Sequence, residues 1–418
     1  MIQRPPGIED IFPDRVHRRD FLLGRAREVF NLFNVHEIII PVMEYTEVFA
    51  RGIGDETDIV SKEMFTFEDR GGRSLTLRPE GTASVVRAYV ENGEYNRLAM
   101  TKFFYIGPMF RAERPQKGRL RQFNQFGVEI FGSGHPWHDY EAMAIMDRVA
   151  NEIGIEHYEL VINSIGCQEC RPLYLEKLRE FYADHVRELC DDCRRRYRTN
   201  ILRLLDCTKS DHCHTVRQEA PRIMDHLCPA CQDHHGTVKE LLEADSITYR
   251  EDPFIVRGLD YYTRTTFEFL STELGSQSAF AAGGRYDNLV ETFGGKPTPA
   301  VGFAAGIERM LLLLEKEELA PPALDVYVVH SGEAAVAAAR DAARRLRRAG
   351  YSVDLDPAGG GFKGQFKKAD REKARIACVI GDDEAAAGQV TLKAMESGRQ
   401  VRVSMETLPE ETESLLRD

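Results

Sequence analysis

The run VRGLDYYTRTTFEF, from Val256 to Phe269, crowds Arg257, Asp260, Tyr261, Tyr262, Arg264 and Glu268 into a segment whose second half alternates as a strand does. Cations, phenols and carboxylates on so short a stretch suit a binding surface for a polar molecule. A strand with a charged solvent-facing side has the same local pattern, so other residues must decide. Between Arg111 and Arg121 stand five basic residues, Arg111, Arg114, Lys117, Arg119 and Arg121, against the single acid Glu113. Cations held on one hairpin suit phosphate oxygens, although a solvated charged loop is the plainer alternative. Gln125 and Glu129, four apart on a strand, point to one face and can line a polar pocket. Glu80 precedes a helix N-terminus, where it can cap the helix or receive a ligand ammonium. Arg309, in the first turns of a later helix, can be structural or can reach a ligand.

The cysteines suggest a second chemistry. Eight of the nine lie between Cys167 and Cys231, as the CxxC pairs Cys167/Cys170, Cys190/Cys193 and Cys228/Cys231 and the looser pair Cys207/Cys213. The first two pairs are separated by 19 residues, a zinc-ribbon spacing in which two pairs supply four thiolates. CxxC also serves redox chemistry, and reactive thiols remain the alternative. A zinc here would be structural, holding an insertion too small for a core of its own.

The chain of 418 residues, 43% hydrophobic and 29% charged, is long enough for two or three domains with a large core. It has no run of 18 apolar residues, and MIQRPPGIEDIFP lacks the apolar stretch of a signal peptide, so the expected compartment is the cytoplasm, with no membrane span. The net charge of −12 argues against a non-specific nucleic-acid coat protein but not against local basic surfaces. One such surface is the Arg111–Arg121 hairpin. The other is Arg340–Arg375, where 11 basic and 5 acidic residues give +6, with Lys363, Lys367 and Lys368 following a GGG turn.

Positioning these groups requires several elements. Asp14–Phe33 has the apolar period of a helix, and HEIIIPVME reads as a β-branched strand stopped by Pro41. MFTFED and SLTLRP flank Gly71 and Gly72 as a hairpin, followed by a helix from near Thr82. FFYIGPMF and QFGVEIFG are antiparallel strands around the basic turn, and a helix spans Asp139–Ile153. YELVINSIG is a further strand, after which charged helices interrupted by cysteines mark an insertion at 166–245. Strand signals resume at Val256. AFAAGGRYDNL adds a Gly-rich turn into Arg285 and Tyr286, and AVGFAAGIERM is a strand entering a helix, with Gly302 and Gly306 allowing close backbone packing. KEELAPPAL is a linker, and alternating strands and helices then form a compact α/β domain with Cys378 in a core strand.

Together these segments resemble the histidyl-tRNA synthetases, a family of class II aminoacyl-tRNA synthetases. RGLDYY and AAGGRYDNL resemble the two histidine-specific signatures, FRAERPQKGRLRQF motif 2, AVGFAAGIERM motif 3, and the region through HEIIIPVME motif 1, all in family order. The resemblance implies an α+β fold: a class II antiparallel catalytic sheet of six strands flanked by helices (1–165 and 246–316), a Cys-rich helical insertion (166–245), a linker (317–324) and a C-terminal α/β anticodon-binding domain (325–418). It implies a two-step reaction in which L-histidine and ATP, with Mg²⁺, form histidyl-adenylate, and the histidyl group then passes to the 3′ end of histidine tRNA. Arg257 and Arg111 match the arginines that stabilise the α-phosphate. Glu113, Phe123 and Arg309 complete the implied ATP site, with Phe123 stacking on adenine. Glu80, Gly81, Thr82, Gln125, Glu129, Tyr261, Tyr262 and Tyr286 match the histidine site. Of these, Glu129 and Tyr262 face the imidazole, while Glu80 and Gln125 lie nearer the ammonium. A homodimer follows from the motif 1 resemblance.

Many members of this family lack such cysteines, so the resemblance does not establish the zinc. A regulatory paralogue serving histidine biosynthesis is the principal rival, but such proteins typically lose the anticodon domain and erode the signatures that this chain keeps. A zinc-stabilised RNA-binding protein without catalysis would explain the cysteines and basic surfaces and leave the ATP motifs without a purpose.

Overall fold

The computed structural model describes residues 2–54, 57, 59–116, 118–207, 210–256, 259–275, 278–314 and 323–417. Arg257 and Lys117, with most of the expected linker, lie outside the described residues. The chain forms two compact units, Met1–Glu317 and Glu318–Asp418.

The first unit opens with helix α1 (Pro13–Leu32), where Pro13 in the first turn gives up no needed hydrogen bond. The apolar run after it divides. His36–Glu37 (β1) pairs with a strand of the main sheet, whereas Met43–Tyr45 (β2) joins a small sheet with Phe65–Glu68 (β3) and Ser74–Leu77 (β4). The strand expected to run up to Pro41 is thus limited to His36–Glu37, and Pro41, with no N–H to continue a ladder, lies in the connection to β2. Between them Ile39 is 90% exposed. Helix α2 (Thr46–Ile53) follows β2. The β3–β4 hairpin turns at Gly71 and Gly72 as expected, held by the Asp69 carboxylate accepting the N–H of Gly71 at 2.8 Å and of Arg73 at 3.0 Å.

Helix α3 (Thr82–Glu91) leads to the long hairpin of β5 (Thr101–Phe110) and β6 (Gln122–Phe131), then α4 (Trp137–Glu152) and β7 (Glu159–Ser164). Helices α5 (Arg171–His185), α6 (Asp191–Thr199), α7 (Asp211–Gln218) and α8 (Pro229–Ala244) carry the cysteine segment and return the chain to β8 (Tyr249–Glu251). β9 (Thr263–Leu270), β10 (Ala279–Arg285), α9 (Leu289–Thr292), β11 (Ala300–Gly306) and α10 (Ile307–Leu313) complete the unit.

The main sheet has the order β1-β5-β6-β11-β10-β9-β7-β8. Its inner six strands pair antiparallel throughout, while β1 and β8 attach parallel at the two edges. The six-stranded antiparallel sheet is therefore present, extended by two strands too short to register as periodic patterns. β6 shows how the sheet separates packing from chemistry. Phe126, Val128 and Ile130 face a core closed by Leu22, Phe30, Met143 and Met146 of α1 and α4. The alternate positions Phe123, Gln125, Glu129 and Phe131 lie on the other face, as period-two geometry requires. Each fully buried aromatic or aliphatic side chain on the packed face stabilises by about 1.5–3 kcal/mol, enough to fix the register that presents Glu129.

The second unit is a five-stranded mixed sheet in the order β13-β12-β14-β15-β16, built from β12 (Val326–His330), β13 (Val353–Leu355), β14 (Ile376–Ile380), β15 (Gln389–Ala394) and β16 (Gln400–Ser404). The β12–β13 and β12–β14 pairs are parallel, as an α/β unit requires, and the last two pairings are antiparallel. Helices α11 (Glu333–Arg348), α12 (Phe362–Arg371), α13 (Asp382–Ala387) and α14 (Leu408–Arg417) accompany it. Cys378 sits fully buried in β14. Many cations of the basic segment are already paired: Arg345 Nε donates to Asp341 at 2.7 Å, and Lys368 bonds Asp356. Arg340, Arg348, Lys363, Lys367 and Lys373 are exposed.

Candidate active site

The polar face of the sheet gathers the residues that the sequence singles out. Glu129, at the middle of β6, is completely buried. Its Oε1 accepts a hydrogen bond from Thr82 Oγ1 at 2.6 Å, and its Oε2 accepts one from the Tyr286 hydroxyl. Room for it comes from the neighbouring strand: a Cβ on Gly302 would lie 1.9 Å from Glu129 Oε2. Burial pushes the Glu129 carboxyl up to about 8, the two donors opposing and the neighbouring Glu80 adding to the effect.

Glu80 does what a residue before a helix is suited to do. Its carboxylate accepts the N–H groups of Thr82 at 2.7 Å and Ala83 at 2.9 Å, capping α3. Even so, burial raises its carboxyl, with those two N–H groups and Arg111 pulling the other way. Two buried carboxyl groups therefore stand in one pocket with their proton affinities raised. Gln125, on the same face of β6, has its Oε1 buried without a hydrogen-bond partner among the described residues. A buried acceptor left unpaired costs about 1–3 kcal/mol, and a ligand N–H would relieve it.

The tyrosines form the wall. Tyr261 and Tyr262 rings lie 4.6 Å apart, and Tyr261 meets Tyr286 edge-on at 5.6 Å. Burial raises the Tyr261 and Tyr286 hydroxyls well above the ordinary phenol range, with the pocket carboxyls among the further causes, so both stay protonated. Sequence reasoning missed Tyr105. Its ring threads between two glycines, since a Cβ on Gly81 would meet it at 2.3 Å and one on Gly127 at 2.4 Å. Gly81 thus serves the pocket by having no side chain. A glycine inside a strand, here Gly127, is the signal that could have found this close approach.

Beside this pocket, Arg111 Nε donates to the Pro79 carbonyl at 2.9 Å, and its guanidinium stands 5.3 Å from the centre of the Phe123 ring. Glu113 accepts from Arg119 at 2.7 Å and lies 3.9 Å from Arg111. Arg309 reaches back from α10 to the Gly118 carbonyl at 3.4 Å, tying the helix to the basic turn. Glu308 beside it takes the backbone N–H and side-chain amide of Asn124, which fixes β6 between Phe123 and Gln125.

Arg285, from the second signature, does not enter the pocket. It is fully buried and bonds Asp139, Asp287 and the carbonyls of Ser133 and His135. Burial alone would raise the Asp139 carboxyl, but Arg285 and His234 beside it hold it well below the usual range. Arg285 is a buried brace for the Tyr286 turn. The cysteines gather elsewhere, into two groups of four: Cys167, Cys170, Cys228 and Cys231, and Cys190, Cys193, Cys207 and Cys213.

Among the described residues no helix is long and apolar enough to cross a membrane. The family model for histidyl-tRNA synthetase matches residues 7–310, and that for an anticodon binding domain matches residues 325–415. The histidine–tRNA ligase of Halothermothrix orenii is 47% identical, covering 99% of this chain and 100% of its own length. That of Geobacter metallireducens is 46% identical, over 97% of this chain and 98% of its own. The crystal structure of apo S. aureus histidyl-tRNA synthetase superposes with a TM-score of 0.84 at 36% identity, covering 99% of this chain and 100% of that one. Full-length likeness to ligases favours the synthetase over a regulatory paralogue, and the chain belongs to the histidyl-tRNA synthetase family.

Proposed function

We propose that the pocket around Glu129 is where this histidine–tRNA ligase reads its amino acid, and that Arg111 and Arg257 drive the activation step beside it. The observation that carries this reading is the buried Glu129 carboxyl, held by Thr82 and Tyr286 next to the unpaired Gln125 Oε1. An imidazole offers two nitrogens, and a pocket of buried polar groups penalises any side chain that cannot satisfy them. Glu129 and Tyr262 take the imidazole. Glu80 and Gln125 receive the α-ammonium, with Gly81, Thr82, Tyr261 and Tyr286 shaping the cavity between.

The histidine carboxylate then attacks the α-phosphate of ATP and pyrophosphate leaves. Negative charge gathers on the phosphoryl oxygens, and fixed guanidinium groups stabilise it without reorganising. Arg111, anchored on the Pro79 carbonyl, supplies one such group. Arg257, outside the described residues, keeps the same role by family resemblance. Phe123 stacks on adenine and Arg309 meets the phosphate chain. Glu113, whose carboxylate accepts from Arg119, borders the ATP, and Mg²⁺ bound with ATP would neutralise phosphate charge there. In the second step a ribose hydroxyl at the tRNA 3′ end attacks the adenylate carbonyl, its proton passing to a phosphate oxygen of the leaving AMP.

The basic turn through Arg121 approaches the acceptor end of the tRNA, and the Arg340–Arg375 segment, with its exposed Arg340, Arg348, Lys363, Lys367 and Lys373, approaches the anticodon. The cysteine segment, 166–245, acts as an inserted domain between the catalytic parts 1–165 and 246–316, held by structural zinc, with 317–324 as linker to 325–418. The protein works in the cytoplasm as a homodimer, a reading supported by the exposed apolar side chains of Ile39, Val42, Met43 and Tyr45 in the motif 1 region. Histidine-dependent ATP–pyrophosphate exchange tests the pocket: Glu129→Ala should abolish it, and near-normal exchange in that variant would refute the assignment.

A further inference from the structure

The eight cysteines of the segment between β7 and β8 form two foursomes, each with its Sγ atoms within 4.8 Å of one another. Cys167 Sγ is 3.8 Å from Cys170 Sγ and 3.8 Å from Cys228 Sγ, and Cys170 Sγ is 3.8 Å from Cys231 Sγ. In the other group Cys190 and Cys207 are also 3.8 Å apart. A disulfide needs about 2.05 Å, so no pair is bonded. Four thiolates about 2.3 Å from a tetrahedral zinc stand about 3.8 Å from each other, because a tetrahedron's edge is about 1.6 times its centre-to-corner distance. Cys167 is equally distant from Cys170 and Cys228, so it has no preferred dithiol partner of the kind redox chemistry uses. Backbone N–H groups also point at the sulfurs: Cys167 to Cys170 Sγ at 3.3 Å, Glu169 to Cys167 Sγ at 3.4 Å, and Cys190 to Cys213 Sγ at 3.3 Å. Such donors stabilise thiolate charge around a closed metal site.

The two foursomes occupy different places in the chain. Cys167 and Cys170 follow directly on β7, and Cys228 and Cys231 open α8, which returns the chain to the sheet, so this group closes the neck of the segment. The other four, the outer group, stand between these in the chain: Cys190 and Cys193 at the start of α6, Cys207 between α6 and α7, and Cys213 in α7. At the neck, the residue after Cys170 is Arg171. Its guanidinium donates to the carbonyls of Tyr262 at 2.6 Å, Ile165 at 3.0 Å and Gly166 at 3.2 Å. Gly166 has φ +70°, and its carbonyl accepts the N–H of Arg264, itself held at φ +50°. A Cβ at Gly166 would stand 2.8 Å from Cys170 Sγ. The neck cysteines, the left-handed turn and the backbone of Tyr262 thus form one continuous set of contacts.

We infer that the segment binds two zinc ions, one in each foursome, and that the neck ion positions the histidine pocket by holding Arg171 against the Tyr262 carbonyl. The positioning role rests on the reading that Tyr262 borders the imidazole; the two metal sites do not. Full-length protein analysed by native mass spectrometry and elemental analysis should carry two zinc ions per chain. The double substitutions Cys228→Ser/Cys231→Ser and Cys190→Ser/Cys193→Ser should each leave one. Cobalt replacement should give tetrahedral thiolate absorption from both sites. The neck variant should raise the histidine KM about tenfold in ATP–pyrophosphate exchange while the ATP KM holds, and the outer variant should leave both unchanged.

Arg171→Lys retains every thiol and should keep two ions while raising the histidine KM, so it tests the positioning role even where a cysteine variant fails to fold. Fewer than two ions in the unsubstituted protein overturns the two-site assignment, as does a neck variant that retains both ions. An unchanged histidine KM in Arg171→Lys overturns the positioning role. Two zinc ions in a protein without histidine-dependent exchange would uphold the metal sites and refute the substrate reading instead.

Discussion

Replacing Glu129 by Gln separates what this carboxyl costs the fold from what it gives the substrate. Glu129 is completely buried and its carboxyl is pushed up to about 8 by that burial, against the opposing pull of Thr82 and Tyr286. In the unfolded chain the same group ionises near the ordinary value of about 4.3. A carboxyl raised on folding costs nothing below its unfolded pKa; the cost grows as pH rises and is complete above the folded pKa. At 1.36 kcal/mol for each pH interval of one, the cost is about 4 kcal/mol at pH 7 and about 5 kcal/mol above pH 8. Gln has no charge to desolvate, but its amide N–H₂ faces one of the two hydroxyl donors, at about 1–2 kcal/mol. Glu129→Gln should therefore be more stable than the parent by about 3 kcal/mol at pH 8, with the two converging near pH 5. Urea denaturation followed by fluorescence of Trp137, the chain's one tryptophan, reports on the first unit alone. The same variant should lose about 10²- to 10⁴-fold in kcat/KM for histidine, because the charge-assisted bond to imidazole is gone. A variant less stable than the parent at pH 8 contradicts the cost of burying this carboxyl, and one that exchanges within about threefold of the parent contradicts its role toward histidine.

The same carboxyl shapes the pH profile. With Glu129 receiving the imidazole as proposed, one proton is shared between it and a group of ordinary pKa about 6.5, so kcat/KM for histidine should peak between about pH 6.5 and 8, and Glu129→Gln should lose the alkaline limb near 8. A limb that persists unchanged in the variant contradicts this. Arg111→Lys keeps the charge but loses the planar fork anchored on Pro79, and should lower kcat of exchange about 10²-fold with the histidine KM little changed; an unchanged kcat would remove Arg111 from the activation step. Gly127→Ala puts a methyl group against the Tyr105 ring and should destabilise by about 1–3 kcal/mol while raising the histidine KM; a neutral effect in both assays would mean that Tyr105 does not shape the pocket. The tRNA affinity should fall steeply between 50 and 200 mM salt, by about 10³-fold or more for six phosphate contacts. A flat dependence argues against the basic surfaces as tRNA contacts.

What was legible in the sequence was what short-range chemistry writes there. The alternation of β6, the capping position of Glu80 and the glycine turn of the β3–β4 hairpin are local and appear in the structure where the residues place them. The break in HEIIIPVME was half visible, since Pro41 marked the stop, but the shift of Met43–Tyr45 to another sheet depends on partners far along the chain. The edge strands β1 and β8 have two and three residues, below what periodicity can show. Arg285 illustrates the limit most clearly. An arginine in a signature looks functional, and only the placement of Asp139 at its guanidinium reveals a buried brace. The joining of Cys167/Cys170 with Cys228/Cys231 across some sixty residues likewise follows from the path of four helices and not from spacing.

The selection of histidine proposed for Glu129 and its neighbours can be measured by ATP–pyrophosphate exchange in the purified protein, run with each amino acid in turn and followed by charging of histidine tRNA. Exchange should occur with histidine alone and be lost in Glu129→Ala, and the unsubstituted protein should charge that tRNA. Exchange that proceeds equally with other amino acids, or that survives in Glu129→Ala, would contradict that selection.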